Sequence, residues 1–126
     1  MADLLSAFGF SASGMEAQAQ RLRHLSENIA NADTPGYQRK TIAFRAAVEG
    51  DRVETGPVRL DPRPVERIHD PGHPLADTEG FRDGSNVDLI MEIADAREAQ
   101  RSYEANLRLF DQARQMTQSL FDLLRR

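Results

Sequence analysis

All six prolines of this chain lie between positions 35 and 74, and neither terminal stretch contains one. Proline removes a backbone donor and clashes with the preceding helical turn. The two ends are therefore free to form long helices, and the middle is not. The expected division is an N-terminal helix within 1–33, a β-hairpin and loop segment over 34–85, and a C-terminal helix within 86–126. The fold class is mainly α: two long helices paired as an antiparallel coiled coil, with a small β-rich middle.

Hydrophobic spacing supports both helices. Leu5, Phe8, Ala12, Met15, Ala19, Leu22, Ser26 and Ile29 recur at steps of three and four, a heptad-like stripe. Gly9 and Gly14 weaken the first turns. Thr34-Pro35-Gly36 is a strong stop signal. The C-terminal stretch carries one stripe through Leu89, Ile93, Ala96, Gln100, Tyr103, Leu107, Phe110, Arg114, Thr117, Phe121 and Leu124. A second stripe, Ala99, Leu109, Ala113, Met116, Leu120 and Leu123, lies beside it. Ser85 or Asn86 is suited to cap this helix, with Asp88 at the positive end of its dipole. Between the helices, Thr41–Phe44, Pro57–Leu60 and Val65–Ile68 show weak alternation and read as short strands.

A C-terminal helix of some 38 residues would be roughly 57 Å long. The shorter N-terminal helix cannot cover both of its stripes. Leftover apolar surface of this kind marks an interface. The same stripes also suit an ordinary monomeric helical core, or a soluble helical adaptor or export chaperone that binds a partner helix.

The net charge of −4 excludes a general nucleic-acid binder and electrostatic adhesion to anionic lipid. With no cysteine there is no disulfide scaffold and no thiol nucleophile. The N-terminus has no basic start typical of a cleaved secretory signal, and no apolar run approaches the roughly 20 residues that span a bilayer. His69-Asp70-Pro71-Gly72-His73 brings two imidazoles together, but as a turn it reads as surface rather than as a metal site. Neither a Gly-x-Ser-x-Gly elbow nor a phosphate-cradling loop occurs. No catalytic residue, metal, cofactor or small-molecule substrate is expected.

The informative polar residues are asparagines. Asn28 and Asn31 sit near the end of the first helix, and Asn106 lies between Tyr103 and Phe110 in the second. Each is suited either to local capping or to a buried bond that fixes helix register, since misalignment would leave its amide unpaired.

Residues 28–37, Asn-Ile-Ala-Asn-Ala-Asp-Thr-Pro-Gly-Tyr, resemble the Asn-x-Ala-Asn-x-x-Thr-Pro-Gly-Tyr signature of flagellar rod and hook proteins. Arg101-Ser102-Tyr103-Glu104-Ala105-Asn106 resembles their C-terminal Arg-x-Tyr-x-x-Asn element. Pro71–Asp77, Gly80-Phe81 and Ser85-Asn86-Val87-Asp88 are similar to the proximal-rod, FlgC-type branch, as is the short length. The resemblance implies a structural subunit that polymerises through its terminal helices into the periplasm-spanning rod of the basal body and transmits torque. It implies passage through the flagellar type III export apparatus without a cleaved signal peptide. The implied partners are other copies of the chain and other rod proteins, with no nucleic acid and no membrane span. The implied assembly interface combines Leu5, Phe8, Met15, Leu22, Asn28, Ile29, Asn31, Thr34, Pro35, Gly36 and Tyr37 with Tyr103, Asn106, Leu107, Phe110, Met116 and Leu120.

Overall fold

A computed structural model describes residues 2–47 and 49–126. Helix α1 runs Ala2–Ala30 and helix α2 runs Leu89–Leu124. Between them lie six short strands: β1 (Lys40–Thr41), β2 (Phe44–Ala46), β3 (Val53–Thr55), β4 (Arg59–Leu60), β5 (Arg67–His69) and β6 (Phe81–Asp83). The chain is mainly α with a small β-hairpin middle.

α1 stops where the sequence demands it. The Asn31 and Thr34 amides close turns onto the Glu27 and Asn31 carbonyls, and Gly36 takes a φ of 74°, a left-handed conformation that favours glycine. α2 starts on Asp88, whose carboxylate accepts from the amides of Ile90 and Met91. That corrects the expected cap: Ser85 and Asn86 are engaged elsewhere.

The strands form three antiparallel pairs. Lys40 faces Leu60 and Thr41 faces Arg59; beyond them Phe44, Arg45 and Ala46 face Thr55, Glu54 and Val53. Between the two ladders one side contributes residues 42–43 and the other 56–58. This one-residue excess is a bulge at Gly56-Pro57-Val58, where proline has no amide to donate. The two ladders, residues 40–46 and 53–60, thus form one kinked hairpin arm. β5 and β6 pair separately, with Ile68 opposite Arg82. Strands Val53–Thr55 and Phe81–Asp83 have no counterpart among the expected strands, and Pro57 and Val65 lie outside the observed ones.

The arm lies along α1. The Val53 amide donates to Ser13 Oγ at 2.8 Å, Thr55 Oγ1 to Gln20 at 3.1 Å, and Ser6 to the Asp51 carboxylate. Gly9 permits this approach, since a Cβ there would sit 2.8 Å from the Asp51 carbonyl oxygen.

The helices pack side by side. Going up α1, Phe8 meets Phe110, Gly14 meets Asn106, Arg21 meets Asp95 and Glu98, and Asn28 meets Glu92. The covered residues on α1 are Ser11, Ser13, Gly14, Ala17, Leu25 and Asn28, with Ser13 bonded to the arm, and on α2 Glu92, Ala99 and Ala113, with Tyr103, Asn106 and Phe110 half-buried. On α2 the seam takes Ala99 and Ala113 from one expected stripe and Tyr103 and Phe110 from the other, whereas on α1 it lies about one residue off the expected stripe. Ala12, Ala19 and Ser26 on α1, and Leu89, Ile93 and Leu107 on α2, are exposed. The physical reason is size. Small residues let the helices approach closely, and Ser11 becomes buriable because its hydroxyl donates to the Ala7 carbonyl at 2.6 Å.

Candidate assembly surface

The two ends of the helix pair are built from opposite chemistry. At one end, the Tyr37–Lys40 stretch and the start of α2 converge on Asn28, which is fully buried. Its Oδ1 accepts from the Tyr37 hydroxyl at 2.9 Å and the Lys40 amide at 2.8 Å. Its Nδ2 donates to the Lys40 carbonyl at 2.9 Å and to Glu92 Oε2 at 3.2 Å. The side chain makes every bond available to it. Glu92, also fully buried, accepts through its other oxygen from Arg39 Nε at 2.5 Å. Asn86 accepts from the Arg39 amide at 2.6 Å and donates to the carbonyls of Asp61 and Arg63, both at 3.0 Å.

Two loops are thereby stitched together. The Gly36 amide donates to the Gly84 carbonyl at 2.9 Å, the Asn86 amide to the Tyr37 carbonyl at 3.2 Å, and the Ser85 hydroxyl to the Ala32 carbonyl. The Thr-Pro-Gly-Tyr turn and the Ser-Asn-Val-Asp turn are the two halves of one joint.

The charges of this hub are locked. Burial disfavours the Arg39 cation, but the Glu92 and Asp61 carboxylates outweigh it and its pKa is raised. Asp61 is held at about 2, chiefly by hydrogen bonds from the Arg63 side chain and backbone. Lys40 Nζ pairs with Glu27 at 2.9 Å, which raises the ammonium pKa and lowers that of the carboxyl. Burial pushes the Tyr37 phenol up. These groups position backbone; each already has its partner. Among the described residues no group of three or more His, Cys, Asp or Glu is placed to hold a metal ion. His69 packs edge-on against Phe81 at 4.9 Å, and His73 Nδ1 accepts from the Leu75 amide at 3.1 Å.

The other end is apolar and open. α2 has 36 residues against 29 in α1, so its last turns extend roughly 10 Å past α1. Leu4 and Ala7 of α1 and Leu109, Met116, Leu120 and Leu123 of α2 line an open groove of about 780 Å³. Leu123 is 61% and Leu124 80% exposed.

Of the sequence-derived interface residues, the structure brings Asn28 and Tyr37 into the hub and Phe8 against Phe110 with centroids 5.2 Å apart. Met116 and Leu120 line the groove. Met15, Leu22, Ile29 and Tyr103 are half-buried, while Leu5, Thr34, Pro35, Gly36 and Leu107 are exposed. Asn31 and Asn106 make local bonds to the carbonyls of Glu27 and Ser102, at 2.8 and 3.0 Å. Sequence reasoning missed Arg39, Asp61, Asn86 and Glu92 as a unit. The available signal was the seven-residue spacing of Glu92, Ala99, Asn106 and Ala113, a seam whose first member is a lone carboxylate.

Comparison with known proteins matches both helical parts of the chain. A family model described as "Flagella basal body rod protein" matches residues 8–38, and one described as "Flagellar basal body rod FlgEFG protein C-terminal" matches residues 78–123. The chain is 42% identical to the flagellar basal-body rod protein FlgC of Agrobacterium fabrum, over 99% of this chain and 98% of that protein. It is 36% identical to FlgC of Yersinia enterocolitica, over 86% and 88%, and 30% identical to FlgC of Aquifex aeolicus, over 97% and 98%. The matched segments are α1 with its Thr-Pro-Gly-Tyr turn and α2 with its Ser-Asn-Val-Asp turn, the pieces that the hub joins, and the chain belongs to the flagellar basal-body rod protein family as a FlgC-like member.

Proposed function

We propose that this chain is a non-catalytic structural subunit of the proximal rod, which polymerises through its terminal helices and transmits torque. α1 and α2 pair as an antiparallel coiled coil whose register is fixed by the Asn28–Glu92 joint. The chain leaves the cell interior through the type III export apparatus without a cleaved signal peptide and joins the rod in the periplasm. Its partners are copies of itself and other rod proteins.

The observation that carries this reading is the apolar end of α2. Leu109, Met116, Leu120, Phe121, Leu123 and Leu124 are all at least 44% exposed, a surface that calls for a partner. No described helix is long and apolar enough to cross a membrane. The interface extends from Leu5, Phe8, Met15, Leu22 and Ile29 on α1 across Tyr103, Asn106, Leu107 and Phe110 to Met116 and Leu120. Thr34, Pro35 and Gly36 present the exposed face of the joint, and Asn31 holds that turn.

The test is Leu123→Glu in cells lacking the native gene. Because Leu123 is exposed, the change should alter the stability of the isolated chain by no more than about 0.5 kcal/mol. Swimming should be lost and the chain should disappear from purified basal bodies, while secretion into the medium continues. Normal motility with the variant built into the basal body would overturn the proposed interface.

A further inference from the structure

We infer that the outer half of the hairpin arm is a hinged strap. β2 and β3 open from α1 as a unit while β1 and β4 stay with the hub, and the closed strap braces the α1 wall of the apolar groove. The two halves are held very differently. The inner ladder is anchored through its backbone: Lys40 gives both its amide and its carbonyl to Asn28, and the Asp61 amide donates to the Arg39 carbonyl at 2.9 Å. The outer ladder contributes no buried residue. Its hydrogen bonds to α1 each involve a side chain, from the Val53 amide to Ser13, from Thr55 to Gln20 and, beside β3, from Ser6 to Asp51. Between strap and helix lies a cleft of about 320 Å³ whose lining includes Glu16, Gln20, Arg45, Arg52 and Glu54, polar side chains that water can solvate. A segment with few buried apolar contacts and solvent-exposed bonds opens locally at low free energy. The kink at Gly56-Pro57-Val58 separates the two halves, and Pro57 has no amide to carry the ladder through it.

The strap closes on the weakest part of α1. Ser6, Gly9 and Ser13 are poor helix formers. Before Phe8, which packs against Phe110, Leu4 and Ala7 face α2 across the open groove. Among the described residues, Ser6 is the one side chain before Phe8 with a hydrogen bond outside α1, and that bond runs to Asp51. The Asp51 carbonyl also lies against Gly9, where a Cβ would stand 2.8 Å from its oxygen. Asp51 therefore backs the turn whose other side lines the groove. A short helical stretch is marginal without tertiary contacts. Opening the strap removes the backing, the first turns of α1 fray, and the groove loses the wall that Leu4 and Ala7 supply. Arm and groove are two ends of one coupled element, whatever covers the groove.

The test is amide hydrogen exchange of the purified full chain at pH 7, followed by nuclear magnetic resonance and corrected for intrinsic rates. In the unaltered chain the Val53 amide should exchange well before those of Lys40 and Asp61. Asp51→Ala removes the Ser6 bond. It should speed exchange at both Val53 and Phe8 by about fivefold, the size of one lost hydrogen bond. Lys40, Asp61 and Ala99 should keep their rates. Thr55→Val removes the Gln20 bond, keeps a β-branched residue in the strand, and should give the same pattern. Equal protection at Val53 and Asp61 in the unaltered chain would show that the arm opens only as a whole and would overturn the hinge. Faster exchange at Val53 with none at Phe8 would overturn the coupling to the groove. Loss of helical circular dichroism in both variants would also overturn the inference, because the strap would then belong to the cooperative fold instead of opening alone.

Discussion

Replacing Asn28 separates the geometry of the hub from its mere packing. Asn28→Ala removes four bonds, two of which leave the Lys40 amide and carbonyl without their side-chain partner. A buried backbone group left unpaired costs about 1–3 kcal/mol, and the Tyr37 hydroxyl can turn toward water, so the total is about 3 kcal/mol. With a urea slope of about 1.5 kcal/mol/M, the unfolding midpoint should fall by about 2 M. Asn28→Asp is the sharper variant. It keeps the volume and the acceptor facing Tyr37 and the Lys40 amide. It also replaces the Nδ2 donor with an oxygen aimed at the Lys40 carbonyl and the Glu92 carboxylate. Repulsion between buried like groups should place Asp at or below Ala in stability. The measurement is urea unfolding of the purified full chain, followed by helical circular dichroism at pH 7. If Asp proves close to wild type while Ala does not, the amide is not oriented as described and the hub argument fails.

Other perturbations probe the arm and the charges. Gly9→Ala adds helix propensity worth up to about 1 kcal/mol, yet its Cβ would press on the Asp51 carbonyl. The arm should lift, and hydrogen exchange at the Val53 amide, now bonded to Ser13, should accelerate even if global stability is unchanged; unchanged exchange would sink the close-approach account. Asp61 has its pKa depressed from 3.8 to about 2, so its contribution is fully present above the ordinary value and is lost as pH falls from about 4 toward 2. Asp61→Asn should therefore weaken the fold at pH 7 and flatten the acid limb of a stability–pH profile; an unaltered acid limb would show that Arg63 and Arg39 do not hold the carboxylate.

The helix boundaries were legible because proline acts locally. Confinement of the prolines to the middle set where α1 and α2 could run, and Asn28 was one of three asparagines suited either to local capping or to a buried bond that fixes register. The seam was legible on α2, where Ala99 and Ala113 stood in the second stripe, but not on α1. Ser11 and Gly14 carry almost no hydrophobic signal, so the stripe read from Leu, Phe and Met fell about one residue away from them. The hub was illegible for a different reason. Arg39, Asp61, Asn86 and Glu92 come from four separate segments, and only the folded backbone brings them within hydrogen-bond distance. Asn31 and Asn106, equally suggestive in sequence, proved to bond within their own turns.

The inversion of residue sizes is itself the strongest argument about design. A helix pair selected to be stable alone would bury Leu107, Leu109, Met116, Leu120 and Leu123 between its helices, because each large apolar side chain is worth about 1.5–3 kcal/mol when fully buried. Here Ser11, Gly14, Ala99 and Ala113 sit in the seam beside Leu25, Tyr103 and Phe110, while those five large residues remain outside. Specificity within the chain is instead supplied by directional polar bonds around Asn28 and Glu92, which tolerate one register only. In the proposed rod, the non-directional apolar surface is left for contacts that repeat from subunit to subunit. Moving the leucines inward, for example by exchanging Ala113 and Leu109, should stabilise the isolated chain only where the seam can widen. It should weaken assembly in every case.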